Sequence, residues 1–351
     1  MKRCFILILA ATLCLSGCGK QEKEASAQIF AMDTVMEIAA FGPQAEEAVS
    51  ETESQIQELE TQLSRTLPDS DVSRINRNGT TPTTGIAAGT WALLEAALEY
   101  RDATDGAFDI TIAPVMDAWG FTGDSFRVPE QAELDALLRR VSSGEIQMQA
   151  ESTESVALGE GQAIDLGGIA KGYTSDCVET VFRENKIESG KISLGGNVVV
   201  LGGKPDGADW RVGIRDPQDE NALAAVLTLR DAYAITSGGY ERYFTENGNT
   251  YHHIIDPSTG YPADSGLLSV TVVAEANGPD FSGPGNGTMC DAFSTALFVM
   301  GEERALEFWQ TGGYDFDLVL VTADGRVIIT DGLSDRFEVV KDSGYTYETV
   351  S

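Results

Sequence analysis

The sequence predicts an α+β protein with mixed β-sheets and flanking helices. The first half carries long segments with helical apolar spacing. The second half breaks into short β-type runs separated by Asn-Gly, Asp-Gly and Gly-Gly turns. No internal repeat, no clean linker and no regular strand–helix alternation is visible, which disfavours a doubly wound fold. A hydrophobic content of 42% over 351 residues is enough for a large core.

The chain opens with Lys2 and Arg3, an apolar run from Cys4 to Leu15, and then Ser16-Gly17-Cys18. This is the pattern of an export signal, too brief to span a membrane as a mature helix. The Leu15-Ser16-Gly17-Cys18 ending resembles a bacterial lipobox, with an ordinary cleaved signal as the alternative. That resemblance implies a signal peptide over residues 1–17, lipidation of Cys18, a polar tether over 18–27, and a protein anchored by lipid on the extracytoplasmic face of the cell membrane. Cys4 and Cys14 leave with the signal, so Cys177 and Cys290 remain in the folded part. They either form one bridge or are buried as small apolar groups. With no CxxC or Cys/His cluster, zinc is disfavoured.

Residues Ile29 to Ala40 alternate as a strand, with Met32-Asp33-Thr34 inside it. From Pro43, the spacing of Ala45, Ala48, Val49, Ile56, Leu59 and Leu63 predicts a long amphipathic helix. Ser64 to Asn76 is expected as a polar loop, and Thr90 as the cap of a helix carrying Leu94, Ala97, Leu98 and Arg101. Gly106-Ala107-Phe108-Asp109 leads into Ile110 to Pro114 and the pair Trp119/Phe121, with Trp119 expected in the core. A further helix follows Pro129. Strands are expected over 191–201, 210–214, 223–229, 232–236, 250–255, 268–274, 318–322 and 326–329, with helices over 291–300 and 302–310.

Between the halves lies Asp165-Leu166-Gly167-Gly168-Ile169-Ala170-Lys171-Gly172-Tyr173, after a presumptive strand end at Ala163-Ile164 and before a helix with Thr174 or Ser175 as cap. Paired glycines let a phosphate or metal approach the main chain, although such a pair is also a common connector. Three other stretches carry chemistry. On a helix, Asp291 and Thr295 share a face and supply hard oxygen donors suited to Mg²⁺; otherwise Asp291 caps the helix and Thr295 bonds its own turn. In Tyr251 to Pro262 the only two histidines are adjacent, so a strand sends them to opposite faces, and Pro257 holds Asp256 extended towards the cleft of His253. Ser193-Leu194-Gly195-Gly196-Asn197 and Thr236-Ser237-Gly238-Gly239-Tyr240 are glycine pairs that equally mark bulges.

Together, Met32-Asp33-Thr34, the Ser73-Arg74-Ile75-Asn76 loop, Ala107-Phe108-Asp109, DLGGIAKGY, SLGGN, TSGGYER, HHIIDPSTGYP and DAFSTALFVMG resemble, in order and approximate spacing, the ApbE family of FAD:protein FMN transferases. The resemblance covers about residues 28 to 340. It implies a single transferase domain over 28–345 with the family's T-fold-related architecture. It further implies that Asp165 and Lys171 hold FAD, that Met32, Thr66, Ala107, Phe108, Asp109 and Ile255 contact it, and that Gly168, Asp291 and Thr295 bind Mg²⁺. His253 is implied as the residue tied to flavin transfer, and the need to remove a hydroxyl proton makes it, oriented by Asp256, the candidate catalytic base. Where many members have Ser-x-Tyr packing on the flavin, this chain has Ser64-Arg65-Thr66, and residues 276–288 look like an expanded loop.

The implied reaction cleaves FAD, attaches FMN by a phosphoester to a Ser or Thr of an acceptor and releases AMP. The implied acceptors are flavoprotein subunits of envelope electron-transport complexes, of the Rnf or sodium-pumping NADH:quinone oxidoreductase type. An FAD pyrophosphatase releasing FMN and AMP, or a flavin-binding lipoprotein without catalysis, are the alternatives. Nucleic acid is excluded as a partner by charge: 24 basic against 55 acidic residues give a net charge of −31.

Overall fold

A computed structural model describes residues 23–123, 125–150, 154–278 and 281–351. The expected signal peptide, Cys18 and the expected tether as far as residue 22 lie outside the described residues. Nine strands form the main sheet and lie in it in chain order: β1 (Glu24–Ala31), β2 (Thr34–Phe41), β3 (Ser189–Leu194), β4 (Asn197–Leu201), β5 (Ala232–Gly238), β6 (Leu267–Glu275), β7 (Asp317–Thr322), β8 (Arg326–Thr330) and β9 (Thr346–Val350). All neighbours are antiparallel except β8 and β9, which are parallel.

Among the described residues the α-helices are α1 (Ala45–Leu63), α2 (Asp71–Asn78), α3 (Ala88–Ala103), α4 (Ala113–Trp119), α5 (Gln131–Leu138), α6 (Ala170–Glu184), α7 (Asn286–Met300) and α8 (Glu302–Gln310). The first six lie between β2 and β3, and the last two between β6 and β7. The mixed α+β class is therefore correct.

Alternation along the central strands sorts the core into two layers. On one face Leu201, Tyr233, Ile235, Val270, Val272 and Leu318 join a large cluster with Ile56, Val178, Phe182 and Phe293 of the helices. On the other face Val200, Ala234, Val273, Val319 and Ile329 pack on a small sheet made by residues 210–216, 219–229 and 337–339. A third cluster surrounds Trp119, which is fully buried, as expected, and donates from its indole nitrogen to the Gly260 carbonyl at 2.7 Å.

Several local expectations change. The single strand expected over 29–40 is the β1–β2 hairpin: Met32 and Asp33 form a two-residue turn with φ of 50° and 58°. Two turn residues preserve the period of two, so the apolar pattern ran through the turn unbroken. The strand expected over 191–201 is likewise a hairpin, β3–β4, turned by Gly195 and Gly196 with φ of 58° and 99°. Strand β1 begins at Glu24, inside the expected tether, and β9 extends past residue 345.

The loop expected over 64–76 contains α2, capped by Ser70, whose hydroxyl accepts from Ser73 N–H. Its Asn76 is spent on both backbone groups of Ile164. Thr90 does not cap α3. Ala87 holds that position, and the Asp71 carboxylate accepts from its N–H and from the Thr90 hydroxyl, both at 2.9 Å. Residues 163–164 form no strand, and α6 starts earlier than expected, at Ala170, so Thr174 and Ser175 are interior residues whose hydroxyls bond back to Ala170 and Lys171.

Helix α7 begins five residues before Asp291, which rules out a capping role for that residue. Its first N–H groups are received by Asp176 of α6, which accepts from Gly285, Gly287 and Thr288 N–H and the Thr288 hydroxyl at 2.5–2.9 Å. Asn277 and Gly285 to Thr288, at the two ends of the stretch expected as an expanded loop, are thus tied to α6 through Asp176. The two helices touch where Gly172 faces Gly287 and Asp291, leaving no room for a Cβ on Gly172. A Gly to Ala exchange inside a helix ordinarily stabilises by about 1 kcal/mol. Gly172→Ala is expected to do the reverse, costing about 1–3 kcal/mol through overpacking against the Gly287 carbonyl; urea denaturation measures the sign.

Candidate active site

The site forms where the start of α6, the β3–β4 turn, the end of β5 and the middle of α7 meet. Asp291 is buried, and one of its carboxylate oxygens accepts from Gly172 N–H at 2.7 Å. Burial raises its pKa, while the charge of Lys171, the N–H groups of Gly172 and Lys171, and the Asn197 side chain favour the ionised form.

One turn on, the Thr295 hydroxyl lies 3.2 Å from that of Ser237, which is also 2.8 Å from Ser294. Thr295 therefore reaches across to β5 and does not bond its own turn. Gly168 sits against both Phe108 and Thr295: a Cβ there would lie 3.3 Å from the ring and 3.5 Å from the hydroxyl. The three residues implied as metal ligands are thus brought together.

Lys171 enters the same space and donates from Nζ to the Gly195 carbonyl at 3.4 Å. The β1–β2 turn closes one side: Thr174 reaches the Met32 sulfur at 3.6 Å, and Met32 N–H donates to Glu60 at 2.7 Å. Asp165 is joined to the 107–112 segment, its N–H donating to the Ile110 carbonyl. One Asp165 oxygen accepts from Gly167 N–H at 2.8 Å and the other from Arg65 at 2.9 Å.

Arg65 was missed in the sequence. Its Nη2 also donates to both carboxylate oxygens of Asp117 at 2.9 Å, so the Ser64-Arg65-Thr66 loop enters the site through Arg65. Thr66 itself is exposed and bonds Ser64. Asp109 is buried and caps the following turn, accepting from Thr111 N–H and hydroxyl at 2.8 and 2.6 Å. Ala107 and Phe108 are buried beside it.

His253 is held by one carbonyl: its N–H and its Nδ1 both lie near Arg242 oxygen, at 3.0 and 3.1 Å. A carbonyl only accepts, so Nδ1 carries the proton and Nε2 keeps its lone pair. Burial, then the nearby Lys171 charge, lowers its pKa to about 4, which leaves the ring neutral at physiological pH.

The orienting role expected for Asp256 is not observed. Its carboxylate accepts from Ser258 N–H and hydroxyl at 2.8 and 2.7 Å, shaping its own turn. A proline-braced Asx turn directs Asp256 Oδ1 onto Ser258, and the imidazole Nδ1 takes the Arg242 carbonyl instead. Ile255 is buried among Val115, Trp119 and Phe121, and its backbone pairs with Pro262. His252 takes the other direction, as the strand alternation requires, and meets the Ala263 carbonyl. Cys177 and Cys290 are both free thiols, not a bridge.

The donors around Asp291 fit Mg²⁺. One carboxylate, one hydroxyl and the backbone of Gly168 are hard oxygen ligands, and among the described residues no group of three or more His, Cys, Asp or Glu offers an alternative cage. A cation held by so few protein oxygens completes its shell with water and substrate phosphate, which is the habit of Mg²⁺.

The model of the ApbE family matches residues 32–318. A Treponema pallidum protein named FAD:protein FMN transferase is 30% identical over 95% of both chains. One from Klebsiella pneumoniae with the same name is 34% identical over 79% of this chain and 82% of its own. Among solved structures, the ApbE protein of Thermotoga maritima superposes with a TM-score of 0.78 at 30% identity, covering 91% of this chain and 97% of that one. The flavin transferase ApbE of Vibrio cholerae gives 0.74 at 26% identity, covering 92% and 98%.

The enclosure of His253 has a pH signature. The unfolded imidazole titrates near 6.5 and the native one near 4. The native ring therefore stays neutral as pH falls through 6.5, and this residue subtracts from stability between 6.5 and 4. An NMR titration of its ring proton is expected to show a midpoint near 4; a midpoint at 6 or above would contradict the enclosed geometry.

Proposed function

The chain belongs to the ApbE family, and we propose that it works as a Mg²⁺-dependent FAD:protein FMN transferase. It cleaves FAD at the diphosphate, attaches FMN through a phosphoester to a Ser or Thr of an acceptor flavoprotein and releases AMP. The observation that carries this reading is the meeting of Lys171, Asp291, Thr295 and Gly168 beside a neutral His253. We further propose that Cys18 is lipidated, that the protein works at the outer face of the cell membrane, and that its acceptors are flavoprotein subunits of envelope electron-transport complexes.

Each residue has a task set by charge. Asp291, Thr295 and the Gly168 carbonyl would hold Mg²⁺, which supplies neutralisation of the diphosphate. Lys171, pinned towards the β3–β4 turn by the Gly195 carbonyl, adds a point charge for the phosphates. Arg65 fixes Asp165, so this carboxylate meets the dinucleotide in one orientation. His253 offers Nε2 to the acceptor hydroxyl. The new O–P bond forms as the bond to AMP breaks, and the hydroxyl proton passes to the imidazole. There is no covalent enzyme intermediate to build, so positioning and charge do the work.

Asp291→Ala is expected to lower Mg²⁺-dependent AMP release by at least about a hundredfold; undiminished release would refute the metal assignment. Mass spectrometry of a co-expressed acceptor is expected to show one added FMN on Ser or Thr. Release of free FMN with the acceptor unmodified would instead assign the site to hydrolysis.

A further inference from the structure

Asn197 has no structural reason to be an asparagine. It is fully buried as the first residue of β4, just after the turn. The left-handed positions of that turn belong to Gly195 and Gly196, so the conformation does not call for it. Asn is also a poor strand residue. Neither its amide nitrogen nor its oxygen completes a hydrogen bond within the protein. A buried carboxamide left so is costly, and an apolar residue of equal size would serve packing better.

The direction of the side chain supplies a reason. Asn197 lies opposite Ile235 of β5 and therefore shares a sheet face with Ser237, two residues further along. Ser237 meets Thr295 on that face. The Asn197 side chain also lies within reach of the Asp291 carboxylate, although no hydrogen bond of good geometry closes between them. An acceptor oxygen and two donor N–H groups thus sit unspent beside the candidate metal ligands.

We propose that Asn197 is a positioning residue of the metal site: its N–H steadies the Asp291 carboxylate, and its carbonyl accepts from a water carried by the bound Mg²⁺. This rests on the metal-dependent reading above. It gives the SLGGN stretch two parts in one site, since Gly195 receives Lys171 and Asn197 serves the cation.

The test is metal binding by the purified protein, with Mn²⁺ as a paramagnetic substitute followed by electron paramagnetic resonance in the presence of ADP. Asn197→Leu is expected to weaken Mn²⁺ binding at least about tenfold, while the metal-free melting temperature stays level or rises. Asn197→Ala, which empties the space instead of filling it, is expected to show the same loss of affinity. Unchanged affinity in both variants overturns the proposal. So does a loss of affinity that occurs only with a fall in metal-free stability, which would mark Asn197 as a packing residue. A wild-type protein that binds no Mn²⁺ with ADP present removes the metal site itself and this proposal with it.

Discussion

The close contact between α6 and α7 is the constraint on which the rest depends. It works because Gly172 lacks a side chain and can offer its N–H to Asp291, while Asp176, one turn further along α6, receives the start of α7. Burial raises the pKa of Asp176, and the hydrogen bonds from Thr288, Gly285 and Asn277 act against that rise. A carboxylate at a helix N-terminus gains from the dipole as well as from the N–H groups. Glu179 extends the arrangement, accepting from the Tyr233 hydroxyl at 2.5 Å, from Asn277 N–H at 3.0 Å and from Arg183. One polar seam therefore fixes how far α7 slides along α6, and with it the height of Asp291 above the β3–β4 turn.

The sheet supplies the opposite wall. Because β1–β2 and β3–β4 are neighbouring hairpins, their two-residue turns lie side by side, and a side chain on Gly195 would strike Thr34. That packing leaves the Gly195 carbonyl for Lys171 and sets Met32 over Thr174. A third wall comes from the Trp119 cluster, where Phe121 lies 6.5 Å from the His253 ring. Arg65 joins this module to Asp165 by holding Asp117 and Asp165 at once. Asp165 and the module on which the His253 ring packs are thus tied by one arginine across otherwise separate segments.

The parts of this arrangement that were legible in the sequence are those written in local periodicity or in ordered motifs. The spacing in α1, the β-rich second half and the shared face of Asp291 and Thr295 all follow from periods of 3.6 and 2. What was not legible depends on partners far away in sequence. The start of α7 is hidden in Gly285-Asn286-Gly287, poor helix formers that hold only because Asp176 receives their N–H groups. Arg65 carries no local signal, because its two carboxylates lie 52 and 100 residues away. Asp256 failed in the other direction, because a proline-punctuated turn directs onto Ser258 the carboxylate expected to orient His253, whose Nδ1 takes the Arg242 carbonyl. Hairpins turned by two residues escaped because they leave the strand period intact.

Charge gives the arrangement its logic. A protein of net charge −31 must bind a dinucleotide that is itself an anion. Bulk electrostatics oppose that encounter, so attraction has to be local. Arg65 already answers Asp165 and Asp117, and Lys171 stands against Asp291. Neither cation is left in clear excess over its neighbouring carboxylates. Under the proposed transfer reaction, a diphosphate entering this space would meet Asp291 as a like charge, with low-dielectric walls making the repulsion stronger than in water. A divalent cation between the two resolves the conflict, turning Asp291 from a repulsive group into a ligand. On the proposed metal-dependent reading, the buried carboxylate and the poverty of cations have one explanation, a site complete only when metal and diphosphate arrive together.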